Sequence, residues 1–426
     1  MNNSVERRVP AWFKGAALLL LTVAICFPFF RDLASQSFNG DENFWIYDSY
    51  YFSLFIHGDW HDPRWQEFHP QSPPVPIGKY IIGLALGLSG RSKGIQGMSR
   101  WDWNRPPAWN GRHGAMPPPA ALYAARLAMA IFGAATCLLL LGLARALLGA
   151  RTGIFAALFL AYNPLMLTCC RRAMTDAPLQ FFLLAAAALT ALFAAVIPRE
   201  RVGAALSIAA LVGVDAGLAA ATKLNGALAG LVFICFCAAA ALSRPRAAWL
   251  LLLSVGICIA TSVVIFIGLN PFLWAHPFRD SMFLFHESLA VVYSAARQSH
   301  SFGVAILNSY PLKASFVFKR VLWIGFGSTL GHWLGVPVDL ALSILGLCSL
   351  ARREFRYFDQ ARTFSPRVVL IIWVLIMFAS TTAWIPVDWG RYYLPLVPCV
   401  ALLTACGFDE LISFLSAKLA APLNAK

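Results

Sequence analysis

The chain has 426 residues, of which 59% are hydrophobic and only 13% are charged. Soluble domains are about half apolar and about a quarter charged, so this composition excludes an ordinary soluble protein and a disordered one. The net charge is +14, from 34 basic and 20 acidic residues. In a membrane protein we expect this excess in the cytoplasmic loops. The basic residues are spread over many short loops, so no nucleic-acid partner is predicted.

Apolar runs long enough to cross the hydrocarbon core predict an all-α polytopic membrane protein with about ten transmembrane helices. The predicted spans are 15–30, 121–144, 153–170, 177–197, 202–222, 225–242, 247–268, 335–350, 367–386 and 393–414. Two further stretches, 77–88 and 281–297, are predicted to form interfacial helices. For the first of these, a re-entrant helix is the alternative. We interpret residues 1–426 as a single integral membrane domain.

The charges of the loops predict the direction of the helices. Basic residues precede the first span and recur after residues 144, 197, 242 and 350, which places both termini in the cytoplasm. The other side of the membrane receives the long segments 31–120 and 269–334, the first and second outer loops. We predict a multi-pass protein of a bacterial plasma (inner) membrane, and the sequence leaves the endoplasmic reticulum open.

The first outer loop contains carboxylates and a lysine that are candidates for catalysis or ligand binding. Asp41 and Glu42 directly follow the first span. Such a pair can hold a metal, or one carboxylate can act as a base while the other orients it; the alternative is a solvated turn. Downstream, His69 precedes a proline-rich stretch that leads into a short helix with Lys79 in its first turn. That lysine can bind a phosphate or can extend to the membrane interface.

Positive charges also occur at the outer ends of spans, against the positive-inside bias. Arg126 lies at the start of the second span, Arg172 precedes Asp176 in the next outer turn, Lys223 follows a span, and Arg391 precedes the last one. Together they predict a cationic pocket for a phosphate at the membrane surface. Each alone has a structural alternative, such as a salt bridge between Arg172 and Asp176.

Other ionisable residues are weaker candidates. Asp215 lies midway through a span, and we expect a structural role, because chemistry at the outer surface does not easily reach the bilayer centre. His276, His286, Glu287 and His300 lie in the second outer loop but form no complete set of metal ligands.

The order of these motifs resembles the GT-C superfamily of membrane glycosyltransferases, in its protein O-mannosyltransferase and aminoarabinose-transferase branch. The resemblance rests on Asp-Glu at 41–42, an interrupted His-Pro motif at 69–79, Ala-Ala-Arg-Leu at 124–127, Arg-x-x-x-Asp at 172–176, Thr-Lys at 222–223 and Arg-Tyr-x-x-Pro at 391–395. It covers most of residues 10–410. The chain departs from the pattern at Gln71-Ser72, which interrupts the His-Pro motif, and in a Trp-rich insertion at 91–119.

The resemblance implies a GT-C-type bundle that transfers a hexosyl or pentosyl group from a polyprenyl-phosphate donor to a hydroxyl of a protein, lipid or glycan. Transfer would occur by inversion at the periplasmic or lumenal face. Asp41 is expected to be the base, Glu42 a second acid or orienting group, and Asp176 a residue that positions the acceptor or a divalent metal, whose use stays open. The expected phosphate-binding residues are Lys79, Arg126, Arg172 and Arg391. The expected substrate-binding residues are His69, Lys223 and Tyr392.

The alternative function is a non-catalytic flippase or transporter of lipid-linked sugars. A transporter is expected to place ionisable groups near the bilayer midplane, on broken helices in paired repeats. Here Asp215 is the exception among candidates that otherwise lie at the outer ends of spans, and the sequence has no evident internal repeat. The enzyme is therefore favoured.

Overall fold

A computed structural model describes residues 11–69, 73–197, 201–298 and 304–420. Within these ranges the chain forms helices joined by turns, and the only bridge outside them is an isolated antiparallel contact between Ile306 and Val387. The helices are α1 Ala11–Phe30, α2 Gly40–Tyr47, α3 Tyr50–His57, α4 Ile77–Leu88, α5 Pro107–Arg112, α6 Pro119–Leu148, α7 Ala150–Ala161, α8 Pro164–Cys170, α9 Asp176–Val196, α10 Val202–Thr222, α11 Leu228–Ser243, α12 Ala248–Gly268, α13 Pro277–Gln298, α14 Tyr310–Val317, α15 Leu330–Leu334, α16 Val338–Ala361, α17 Val368–Trp384, α18 Gly390–Tyr393 and α19 Val397–Ala420. The predicted all-α fold class is confirmed.

Among the described residues, six helical segments are long and apolar enough to cross a membrane. They are Pro119–Leu148, Asp176–Val196, Val202–Thr222, Leu224–Ser243, Pro245–Gly268 and Gly390–Leu419. Shorter apolar helices occupy Lys14–Phe30, Ile77–Leu88 and Val368–Trp384, and the predicted span 335–350 corresponds to the first part of α16. These helices identify an integral membrane protein, and the count of about ten spans stays a prediction.

The predicted span 153–170 is a broken helix and not a straight one. Its two parts, α7 and α8, meet at an angle of 62°. Asn163 and Pro164 cause the break: Pro164 cannot continue the backbone hydrogen bonds of α7, and the Asn163 side chain caps α8 by accepting hydrogen bonds from the N–H groups of Leu165 and Met166, at 3.0 Å each. The break redirects α8 toward the turn that contains Arg172.

The bundle has two distinct ends. We call the end that carries the described parts of residues 31–118 and 269–337 the loop end, and the other the opposite end. Ion pairs fasten the opposite end: Arg151 binds Asp409, and Arg353 binds Glu410 at 2.9 Å. All the predicted site residues lie at the loop end.

Helix α4 packs tightly against the turn before α9. A Cβ atom added to Gly78 would lie 2.1 Å from Cγ2 of Thr175, far inside a van der Waals contact. Thr175 is buried and immediately precedes Asp176. The glycine before Lys79 therefore allows α4 to approach the segment that carries Asp176.

We expect Gly78→Ala to lower the free energy of unfolding by about 1 to 3 kcal/mol, because the new methyl group overpacks against Thr175. Gly87→Ala is the matched control on the same helix, since its nearest non-local atom is 4.0 Å away. It should be neutral or stabilise by about 0.5 kcal/mol through helix propensity. The thermal unfolding midpoint in detergent measures both effects. Equal midpoints for the two variants would contradict the close approach.

Candidate active site

Glu42 and Arg126 form a fully enclosed ion pair, with side chains 0% and 1% exposed. Oε1 of Glu42 accepts hydrogen bonds from Nε of Arg126 at 2.8 Å and from the N–H of Ala173 at 2.9 Å. Oε2 accepts from Nη2 of Arg126 at 2.8 Å and from the N–H of Asn39 at 3.0 Å, which completes a capping box on α2. One carboxylate thus joins α2, α6 and the turn before α9.

The remaining donors of Arg126 are also used inside the protein. Nη1 donates to the carbonyl oxygens of Leu33 and Gln36, at 3.3 and 2.8 Å, and Nη2 donates to that of Ser37 at 3.3 Å. These contacts support a structural role for Arg126. Phosphate binding by this residue stays a prediction, and it would require this network to open.

Lys79 belongs to a second enclosed network. Its side chain is 2% exposed, and its Nζ lies 3.4 Å from Oδ2 of Asp48, whose Oδ1 lies 3.0 Å from Nη2 of Arg100. Nζ also lies 4.9 Å from the centre of the Tyr51 ring. Burial lowers the pKa of the Lys79 ammonium, and the Asp48 carboxylate opposes that effect. Like Arg126, Lys79 is paired away from the surface.

The Trp-rich insertion lies directly against α2 through Asn43, which is not among the predicted site residues. The Asn43 side chain donates to the carbonyl oxygens of Ser99 and Ala115, at 2.9 and 2.7 Å, and accepts from the N–H of Trp101 at 2.9 Å. The Trp101 ring also covers Gly40. The insertion therefore helps to fix α2, and with it Asp41 and Glu42.

In contrast to Glu42, Asp41 lies at an accessible position. Its Oδ2 is 2.6 Å from Nη1 of Arg391, and the two side chains are 24% and 29% exposed. The Arg391 guanidinium also lies 5.3 Å from the Trp389 ring centre and 5.8 Å from that of Tyr392. The structure thus brings a carboxylate and an arginine from opposite ends of the chain together at a partly open surface.

A second ion pair, of which only the lysine is partly exposed, also lies near Tyr392. Nζ of Lys223 is 3.3 Å from Oδ1 of Asp176 and 5.9 Å from the centre of the Tyr392 ring. Lys223 is 28% exposed, whereas Asp176 is 5% exposed. We call the five residues Asp41, Asp176, Lys223, Arg391 and Tyr392 the surface cluster. It contains two carboxylates, two cations and an aromatic ring that contacts both cations.

Arg172 and His69 stand outside these ion pairs. Within the described residues Arg172 makes no salt bridge to Asp176, and its buried Nε has no hydrogen-bond partner. Nε2 of His69 lies 3.2 Å from Oε2 of Glu67, and in the described part of the chain His69 forms no ion pair with the surface cluster. Residues 70–72, which complete the interrupted motif, and His300 lie outside the described residues.

No group of three or more His, Cys, Asp or Glu side chains is arranged to hold a metal ion in the part of the chain that the structure describes. Asp41 and Asp176 are each paired with a basic side chain. A divalent metal at Asp176 stays a prediction.

A region that includes part of this site matches a known protein family. The family model described as dolichyl-phosphate-mannose-protein mannosyltransferase matches residues 64–289, slightly more than half of the chain. The chain belongs to this family. The matched region of this mannosyltransferase family member contains Lys79, Arg126, Arg172, Asp176 and Lys223. Asp41 and Arg391 lie outside it. No curated protein matches the chain by sequence.

Solved structures share the fold of this mannosyltransferase family member. ArnT from Cupriavidus metallidurans bound to undecaprenyl phosphate has a TM-score of 0.60 at 18% identity, over 92% of this chain and 60% of that one. The archaeal oligosaccharyltransferase AglB from Archaeoglobus fulgidus, in complex with an inhibitory peptide and a dolichol-phosphate, has a TM-score of 0.57 at 15% identity, over 96% of this chain and 52% of that one. The chain thus spans between half and three-fifths of their length. The resemblance seen in the sequence is confirmed for family and fold.

We expect Arg126→Ala and Arg391→Ala to differ in their effect on the free energy of unfolding, because only the first of these arginines is enclosed. Loss of Arg126 leaves the Glu42 charge buried and should lower the free energy of unfolding by about 3 to 5 kcal/mol. Loss of Arg391, whose ion pair with Asp41 is partly exposed, should lower it by about 1 kcal/mol or less. Thermal unfolding in detergent measures both. A stable Arg126→Ala protein that no longer binds undecaprenyl phosphate would instead support direct phosphate binding by Arg126.

Proposed function

We propose that this protein is a glycosyltransferase that moves a sugar from a polyprenyl-phosphate donor to an acceptor hydroxyl at the outer face of the membrane. The observation that carries the proposal is the 2.6 Å contact between Asp41 and Arg391 at a partly exposed surface. A candidate base and a candidate phosphate ligand thus lie side by side. Membership of the mannosyltransferase family supports the same reaction class.

In the proposed mechanism, the donor phosphate binds Arg391 and replaces the Asp41 carboxylate as its partner. Asp41 then accepts the proton of the acceptor hydroxyl, whose oxygen attacks the anomeric carbon of the sugar. The bond between that carbon and the phosphate oxygen breaks, and the polyprenyl phosphate leaves with the bonding electrons, stabilised by the guanidinium. Attack from the side opposite the phosphate inverts the anomeric configuration.

The other predicted residues receive roles according to their exposure. Lys223 and Arg172 are proposed to add positive charge around the phosphate, since Lys223 is partly exposed and Arg172 has an unpaired Nε. Asp176 is proposed to orient Lys223 and to position the acceptor. Tyr392, whose ring centre lies 5.8 Å from the Arg391 guanidinium and 5.9 Å from Nζ of Lys223, is proposed to contact the substrate. Glu42, Arg126 and Lys79 hold the site in shape, because their side chains are enclosed.

The donor class is proposed from the family and from the ligands of two proteins of the same fold. The family description names dolichyl-phosphate-mannose, and the AglB and ArnT structures contain dolichol-phosphate and undecaprenyl phosphate. A polyprenyl phosphate is therefore the proposed lipid, mannose or another hexose or pentose is the sugar, and a protein hydroxyl is the first acceptor to test. A lipid or glycan acceptor stays open.

The proposed membrane is the plasma membrane, with the loop end on the periplasmic or extracellular side. Arginines gather at the opposite end of the bundle, as expected for a cytoplasmic face. These arginines are Arg145, Arg151, Arg244, Arg246, Arg352, Arg353 and Arg356.

An alkaline phosphatase fusion after Gly97 should be active, and one after Gly149 should be inactive. The reverse pattern of enzyme activity in whole cells would contradict the proposed orientation.

A non-catalytic flippase is the alternative, and one observation favours it. Asp215 is a buried carboxylate within α10, and its Oδ2 has no hydrogen-bond partner among the described residues. Groups of this kind often mark transport pathways. Purified protein supplied with a radiolabelled polyprenyl-phosphate sugar separates the two functions, because only a transferase releases polyprenyl phosphate.

We expect Asp41→Asn to lower the rate of sugar transfer by about 100- to 10,000-fold, because the acceptor proton loses its base. Release of polyprenyl phosphate from polyprenyl-phosphate mannose by the purified protein measures the rate. Full activity in this variant would rule out Asp41 as the base.

Asp59→Asn is the matched control in the same outer loop. Asp59 is exposed and its side chain forms no ion pair among the described residues, so its amide variant should transfer sugar at the wild-type rate. A comparable loss in both variants would show that the Asp41 effect is not specific to the surface cluster.

A further inference from the structure

Arg391 lies at the very start of the last long helical segment, Gly390–Leu419. Helix α18, Gly390–Tyr393, continues there through a 3-10 turn, Leu394–Leu396, into α19. The first turn of a helix is its least secure part, because its N–H groups have no partners within the helix. Contacts made just before this turn therefore help to set the position of the Arg391 guanidinium.

The strongest of these contacts are made by Asp388, just before α18. Its side chain is 7% exposed. Oδ1 and Oδ2 each accept a hydrogen bond from Nε of Arg320 at 3.0 Å, and Oδ2 is also bound by Nη2. The hydroxyl of Tyr393, which is fully buried, donates to Oδ1 at 2.8 Å. The Asp388 carboxylate is thus held by Arg320 of the second outer loop and by Tyr393 at the end of α18.

Backbone hydrogen bonds reinforce the same connection. The N–H of Asp388 donates to the carbonyl oxygen of Ala305 at 3.0 Å, and the N–H of Leu307 donates to that of Pro386 at 2.8 Å. The second outer loop therefore pairs with the segment that leads to Arg391. These backbone bonds set the path of the chain, and the Asp388 side chain fixes its end.

Arg320 is itself firmly seated. It lies in a single turn of π-helix, Phe318–Trp323, and its carbonyl oxygen accepts from the N–H of Gly327 at 3.0 Å. The centre of the Phe326 ring lies 5.3 Å from its guanidinium and 5.7 Å from the centre of the Tyr393 ring. The ion pair of Arg320 and Asp388 is thus packed together with the rings of Phe326 and Tyr393.

We propose that Arg320 is a positioning residue for the donor phosphate: it holds Asp388 and thereby fixes the place of Arg391 in the surface cluster. This proposal rests on the proposed function, in which Arg391 binds that phosphate. Among the described residues Arg320 is the cation paired with the enclosed Asp388 carboxylate, so its loss leaves that charge unpaired. The first turn of the last helical segment then loses its anchor, and Arg391 no longer presents its guanidinium beside Asp41.

The test is a double-mutant cycle on purified protein in detergent, with undecaprenyl phosphate as the probe and tryptophan fluorescence as the readout. We expect Arg320→Ala to weaken binding by about 10- to 100-fold, as for the loss of a charge-assisted hydrogen bond. Arg391→Ala should weaken binding at least as much. The double variant should bind no more weakly than Arg391→Ala alone, because Arg320 acts through Arg391.

Controls make the cycle specific. Undecaprenol, which lacks the phosphate, should bind equally to all variants. Arg151→Ala removes the matched arginine–aspartate pair at the opposite end and should leave phosphate binding unchanged. If Arg320→Ala does not fold, Asp388→Asn replaces it, because the amide keeps the shape but removes the charge. It should weaken binding in the same non-additive way.

The outcomes distinguish this proposal from the proposed function. Unchanged binding by Arg391→Ala would remove the phosphate site and the function built on it. Weakened binding by Arg391→Ala, with wild-type binding by Arg320→Ala or Asp388→Asn, would overturn the positioning role alone. Losses that simply add in the double variant would also overturn it.

Discussion

The loop end of this protein is organised around the buried ion pair of Glu42 and Arg126. A charge in a low-dielectric interior is tolerated only when it is paired and its remaining hydrogen-bonding positions are filled. Glu42 meets this condition through Arg126 and two backbone N–H groups, on Asn39 and Ala173. Because these partners come from three separate segments, satisfying one carboxylate fixes the relative positions of α2, α6 and the turn before α9.

Exposure then divides residues of similar type into two groups. Glu42, Arg126 and Lys79 are at most 2% exposed and are paired internally, whereas Asp41 and Arg391 remain about a quarter open. Only the second group can be reached from solvent without rearrangement. The enclosed charges hold the backbone that presents the open ones, so the open pair has a fixed position.

The outer loops serve as supports on both sides of the surface cluster. The Trp-rich insertion holds α2 through Asn43, and the second outer loop holds α18 through Arg320 and Asp388. The two residues of the central contact, Asp41 and Arg391, are 350 positions apart in the chain. A contact across that separation depends on the whole bundle. Each partner is also held in place by contacts from one of the two outer loops.

The membrane character, the all-α fold and the gathering of the candidate residues at one end of the bundle can all be predicted from the amino-acid sequence alone. These follow from the length of apolar runs and from the charges of loops, which are local properties of the chain. The sequence also carried enough of the family pattern, from Asp41-Glu42 to Arg391-Tyr392, to identify the superfamily.

Which of the candidate residues are accessible depends on the three-dimensional fold and could not be predicted from the sequence. Asp41 and Glu42 are neighbours, but successive residues on a helix point about 100° apart, so one faces the open surface and the other the interior. Arg126 and Arg391 also differ in exposure, because each is paired with a residue that lies far away in the chain. Asn43 and Arg320 carry no signal in the sequence because their roles consist entirely of long-range contacts, which no local pattern encodes.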